Sequence, residues 1–90
     1  MNPIYLDNAA TTRVYPEVVK EMLPYFKEEY GNPSSLHKLG ENAKEAITTA
    51  RKTLAKEINA KPQELIFTSG GTESNNLAIQ GLAKAFPKKK

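Results

Sequence analysis

The sequence predicts an α/β fold, mostly helical with one or two short strands, and three observations carry that prediction. Two long segments repeat apolar residues at three- and four-residue steps, Leu65-Ile66-Phe67 is a short continuous apolar run, and Thr68-Ser69-Gly70-Gly71 turns that run directly into a third helical pattern. An apolar run without polar alternation suits a strand covered on both faces, as in a parallel sheet, and a strand that turns through glycine into a helix opens an α/β unit.

Each element has a local cause. Ile4-Tyr5-Leu6 is a short apolar stretch, and Asp7-Asn8-Ala9-Ala10-Thr11-Thr12 follows with small and polar residues of no regular period, which reads as a loop whose backbone can be approached closely. Pro16 sits where a first-turn proline belongs, with Glu17 favouring the positive end of the helix dipole, and Val18, Val19, Met22, Tyr25 and Phe26 form an apolar stripe. A helix is therefore expected over about 16–29, kinked near Pro24, whose ring opposes a carbonyl one turn back. Gly31-Asn32-Pro33-Ser34-Ser35 is the densest turn signal in the chain and separates the first helix from the second. Ala43, Ala46, Ile47, Ala50, Leu54 and Ile58 then predict a helix over about 41–59 that buries one stripe and leaves Lys44, Glu45, Lys52 and Lys56 mostly outside it. The apolar run gives a strand at about 65–68, and Leu77, Ala78, Leu82 and Phe86 give a helix over about 72–86, stopped by Pro87.

Composition narrows the classes of function. Ninety residues, 39% hydrophobic and 26% charged, support one small domain with a thin core. The net charge of +3 is a tail property: Lys84, Lys88, Lys89 and Lys90 fall in the last seven residues, and residues 1–83 set nine basic against ten acidic side chains. That pattern does not resemble the spread of Lys and Arg with interleaved aromatics that nucleic acid requires. There is no 18-residue apolar run and no secretory-type N-terminus, so a soluble, cytoplasmic chain without a membrane partner is expected. Zero cysteine removes disulfides, thiolate zinc sites and a cysteine nucleophile from these residues, and one histidine is too few for an imidazole metal site.

A strand buried on both faces needs neighbours to take its backbone N–H and C=O groups, and Ile4–Leu6 is too short to build that sheet. The expectation is an incomplete chain that opens a larger α/β domain.

Phe67-Thr68-Ser69-Gly70-Gly71-Thr72-Glu73-Ser74 is the segment suited to chemistry. The first N–H groups of a helix have no internal partners and the dipole adds positive potential, so a phosphate is stabilised there. Glycine allows close approach, and the Thr72 hydroxyl adds a donor. Neither GxxxxGK[ST] nor GxGxxG is present, which disfavours nucleoside triphosphates and dinucleotides. From spacing alone the alternative stands that Gly70-Gly71 only turns the chain and Thr72 caps the helix.

YLDNAATT near the start, GNPSSLH in the middle and FTSGGTESNN toward the end resemble, in order and spacing, the N-terminal portion of the cysteine desulfurases of the NifS/IscS type, a branch of the class V aminotransferases with pyridoxal-phosphate fold type I. The resemblance runs through essentially the whole chain. It implies that Gly71 and Thr72 hold the phosphate of pyridoxal 5′-phosphate. It also implies that Asn8, Ala9 and Ala10 lie on the substrate side, with His37 in a segment near the active-site entrance and the subunit interface. In that light residues 1–60 belong to the small-domain side and 61–90 begin the large cofactor-binding domain.

The implied reaction takes sulfur from L-cysteine to give L-alanine and an enzyme persulfide for iron–sulfur cluster assembly or other sulfur transfer. The implied partners are a second subunit in a homodimer and a sulfur-acceptor protein such as a scaffold. The cysteine that takes the sulfur is not among these residues, and no lysine sits in a recognisable cofactor-binding context, so no catalytic residue is assigned and the chain alone is expected to be inactive. Another class V enzyme, a selenocysteine lyase or an aminotransferase, and a non-catalytic truncated fragment are the alternatives.

Overall fold

The computed structural model describes residues 2–88; the closing Lys89 and Lys90 of the basic tail lie outside them. The described residues form three helices, α1 (Pro16–Phe26), α2 (Lys38–Glu57) and α3 (Gly71–Ala85), with one 3₁₀ turn at Pro62–Glu64. The chain divides into two compact units, Met1–Ala50 and Arg51–Lys90, with the division inside α2.

In the first unit α1 starts where Pro16 and Glu17 predict, but it ends at Phe26 instead of near residue 29. Pro24 is the reason. Its missing N–H removes the bond back to Lys20 and weakens the last turn, and its carbonyl accepts from Lys27 N–H (3.2 Å) and Glu29 N–H (2.8 Å), which closes the helix within a few residues of the expected kink. The Gly31–Ser35 turn folds on itself, with Ser35 N–H on the Asn32 carbonyl (2.9 Å) and Ser34 N–H on Asn32 Oδ1 (2.9 Å). Helix α2 then begins at Lys38, three residues earlier than predicted. His37 explains the shift: its Nδ1 accepts Gly40 N–H (3.3 Å) and its carbonyl accepts Glu41 N–H (3.0 Å), so an imidazole does the capping that Ser, Thr, Asp or Asn usually does.

In the second unit α2 ends at Glu57, with Asn59 in the left-handed region (φ 55°). Asn59 N–H reaches the Lys56 carbonyl (3.2 Å) and Ala60 N–H reaches the Ala55 carbonyl (2.8 Å), the two bonds of a Schellman closure with asparagine in the place glycine usually takes. Left-handed backbone costs a β-branched side chain about 1–2 kcal/mol. Asn59→Val should lower the stability of this helix end by that amount and Asn59→Gly should not, measured as loss of hydrogen-exchange protection at the Ala60 amide.

The predicted strand at 65–68 does not form. Leu65 has extended backbone (φ −98°, ψ 126°), and residues 65–68 run without a ladder partner; among the described residues there is no strand, Ile4–Leu6 included. Extended conformation follows from the local sequence, whereas a strand also needs a neighbour to bond to. The α/β expectation is corrected accordingly to three helices and an extended segment. Helix α3 runs over Gly71–Ala85, one residue earlier at each end than predicted.

Burial departs further from the pattern. The buried apolar residues are Ala43 (8% exposed) and Ala55 (1% exposed), and the rest of the predicted α2 stripe is at best half-buried, with Ile47, Ala50, Leu54 and Ile58 exposed. Neither α1 nor α3 buries a residue. The periodicity is amphipathic, as the sequence predicts, but most of the apolar faces remain exposed among the described residues.

Candidate functional site

Thr68, Ser69, Gly70 and the first turn of α3 form one hydrogen-bonded knot. The Thr68 hydroxyl donates to the Gly70 carbonyl (3.1 Å) and lies 2.6 Å from Ser74 Oγ, so it can donate to one and accept from the other. Ser69 binds the Glu73 carboxylate twice at Oε2, through its hydroxyl (2.7 Å) and its N–H (3.4 Å). Gly70 precedes the helix in extended backbone, and its carbonyl accepts the first helical bond from Ser74 N–H (3.1 Å).

No side chain caps α3. The N–H groups of Gly71 and Thr72 therefore open the helix without internal acceptors, and the Thr72 hydroxyl makes no hydrogen bond among the described residues; only its carbonyl is engaged, by Asn76 Nδ2 (2.8 Å). The reading in which Thr72 caps the helix with its side chain is thereby set aside. The Glu73 carboxylate is a negative charge in the first turn and favours the helix, but it is drawn back onto Ser69, away from a role as acceptor for those first N–H groups. A Cβ built on Gly70 or Gly71 meets no atom within 4 Å, so packing within this chain demands glycine at neither position. Two donating N–H groups, a free hydroxyl and a backbone bare of side chains form a donor set that fits a phosphate.

An open, mainly apolar groove lies beside this knot, lined by Ile66, Thr68, Ser74, Leu77, Ala78 and Leu82. Sequence reasoning singled out Gly71 and Thr72 but not the Thr68–Ser74 and Ser69–Glu73 pairs that fix the turn. Neither pair has the three-residue spacing of a capping box, so no sequence signal announces them.

The other candidates belong to the first unit. Asn8, Ala9 and Ala10 occupy a turn closed by Ala10 N–H on the Asp7 carbonyl (3.0 Å). The Tyr5 hydroxyl lies 2.9 Å from the Asp7 carbonyl and 3.0 Å from the Thr11 carbonyl, bracketing that turn, and all three residues are exposed. His37 is exposed and caps α2 through Nδ1. Gly71 and Thr72 belong to the second unit. Among the described residues no cluster of His, Cys, Asp or Glu could hold a metal, and no helix is long and apolar enough to cross a membrane.

The glycine turn thus delivers an uncapped helix start, and the sequence around it belongs to a known family. Residues 4–90 match the class-V aminotransferases, and the chain belongs to that family. It is 55% identical over 86 residues to a cysteine desulfurase IscS of Dictyoglomus turgidum, covering 96% of this chain and 22% of that protein. It is 54% identical over 85 residues to a selenocysteine lyase of Bos taurus, covering 94% of this chain and 20% of that protein. Its structure superposes on a NifS-like protein with a TM-score of 0.89 at 42% identity, over 97% of this chain and 24% of that one. The chain thus spans about a fifth of the length of the curated relatives it matches.

Proposed function

We propose that this chain is the N-terminal part of a pyridoxal-phosphate-dependent cysteine desulfurase of fold type I, and that its own task is to hold the cofactor phosphate at Gly71 and Thr72. The observation that carries the reading is the uncapped start of α3, within a chain 55% identical over 96% of its length to a cysteine desulfurase. Residues 1–60 contribute to the small-domain side and residues 61–90 begin the large domain. The exposed stripes of α1, α2 and α3 support the reading of a partial domain, because large apolar faces of this kind are usually covered.

When bound, pyridoxal phosphate supplies an electron sink for bond breaking next to the amino group of an amino-acid substrate. The chain's residues do the binding and orienting. Gly71 and Thr72 N–H groups and the Thr72 hydroxyl donate to phosphate oxygens, and the α3 dipole adds attraction. Ser69 keeps the Glu73 carboxylate off those donors. The turn at Asn8, Ala9 and Ala10 lies on the substrate side, where side chains this small let L-cysteine approach the backbone, and His37 stands near the entrance. With no cysteine among its residues, the chain relies on a thiol elsewhere to accept sulfur. The complete enzyme works as a cytoplasmic homodimer that passes sulfur to an acceptor protein for iron–sulfur cluster assembly.

The test is a chimera in which this chain replaces the matching segment of the Dictyoglomus turgidum relative. It should bind pyridoxal phosphate and release alanine from L-cysteine, while the 90-residue chain alone releases none. A folded chimera that fails to bind the cofactor, or alanine release by the pure chain, overturns the reading. The 54% identity to a selenocysteine lyase supports a second reading within the same chemistry. Turnover of selenocysteine with none of cysteine would select it.

A further inference from the structure

Arg51 lies in α2, twenty residues before the phosphate turn, and it reaches forward to the segment that delivers that turn. Its guanidinium Nη1 donates to the Leu65 carbonyl, and the same group lies 4.8 Å from the centre of the Phe67 ring. Arg51 is half-buried, and its partners are in the unladdered extended stretch, where the backbone has no strand neighbour to set its direction. One planar group thus fixes both a carbonyl and the ring two residues on, a geometry that a guanidinium meets and an ammonium meets only in part.

The hydrogen bonds continue from there. Phe67 leads into Thr68, which binds Gly70 and Ser74, and Ser69 binds Glu73, so the path from Arg51 to the first turn of α3 is contiguous and lies within one compact unit. We infer that Arg51 is a positioning residue for the phosphate cradle, aiming the N–H groups of Gly71 and Thr72 by holding Leu65 and Phe67 against α2. The inference rests on the proposed phosphate role of Gly71 and Thr72. It adds that the aim of those donors is set from α2.

The test titrates the cofactor-free chimera with inorganic phosphate at constant ionic strength, reading the amide shifts of Gly71 and Thr72 and the helical circular dichroism together. Arg51→Met, which keeps the aliphatic stem and removes both contacts, should weaken phosphate binding about five- to tenfold at unchanged helicity, the range expected for coupling through one contact network. Arg51→Lys should recover part of that loss. A merely structural arginine would alter thermal stability without changing affinity in the folded chimera. Arg51→Met binding within about twofold of the parent at equal helicity overturns the positioning role and leaves the phosphate site standing. Parent amides at Gly71 and Thr72 that do not respond to phosphate overturn the site itself, and the role of Arg51 falls with it.

Discussion

Gly40→Ala should break the start of α2. A Cβ at Gly40 would stand 2.7 Å from the Asn32 carbonyl oxygen and closer still to that of Ser35, and both are backbone atoms that no side-chain rotation can move aside. Gly31 faces the same crowding from the other direction, with the Leu39 carbonyl carbon at 2.7 Å and its oxygen nearer. The two glycines let the Gly31–Ser35 turn and the first turn of α2 meet backbone to backbone, and His37 bridges the contact by capping Gly40 N–H. Forcing a methyl group into such a contact costs about 2–3 kcal/mol. That is roughly a 30- to 150-fold loss of hydrogen-exchange protection at the Ser35 and Glu41 amides, whose bonds to Asn32 and His37 must rearrange. Unchanged protection at those amides would show that the turn and α2 are not packed in this way. Loss of Gly40 should leave the Ala60 amide unaffected, since that bond closes the opposite end of the helix.

The sequence disclosed some of this and concealed some of it for identifiable reasons. Pro16, Glu17 and the apolar steps through α1, α2 and α3 located all three helices, because helical hydrogen bonds are local and periodicity within one segment records them. The beginning of α2 is not predictable from the sequence because His37 is seldom a cap, and nothing in its neighbours announces that its ring turns back onto Gly40. The apolar character of Leu65–Phe67 predicts a strand. The structure keeps the extended backbone and lacks the ladder, because a strand is a relation between segments and the partner is not among the described residues. Arg51 escaped notice for the same reason in another form: its partners lie 14 and 16 residues further on, beyond any periodic window. At the candidate site, Gly71 and Thr72 stand out in the sequence as a proposal because a helix start after a glycine turn has fixed electrostatics. The Thr68–Ser74 and Ser69–Glu73 pairs that hold it required coordinates.

Gly71→Ala and Gly71→Val separate the two reasons for which a chain retains glycine. At Gly40 the neighbouring backbone excludes a side chain, but at Gly71 the space a Cβ would enter is open and no positive φ is present. Within the chain alone, alanine at the first position of α3 should therefore be tolerated, and helix propensity favours it by up to about 1 kcal/mol. The cost should fall on the ligand. On the proposed phosphate role, a Cβ at Gly71 would crowd oxygens approaching the Gly71 and Thr72 N–H groups. A charge-assisted bond of that kind is worth about 1.5–3 kcal/mol. Measured in the chimera by fluorescence titration with pyridoxal phosphate, Gly71→Val should weaken binding roughly a hundredfold, the equivalent of about 3 kcal/mol. Gly71→Ala should show a smaller loss with an equal or higher melting temperature. Loss of affinity together with preserved or increased helix stability is the signature of a glycine kept for a ligand. If Gly71→Val instead lowered stability and left affinity intact, the residue would be a turn glycine only, and the phosphate would have to be held elsewhere.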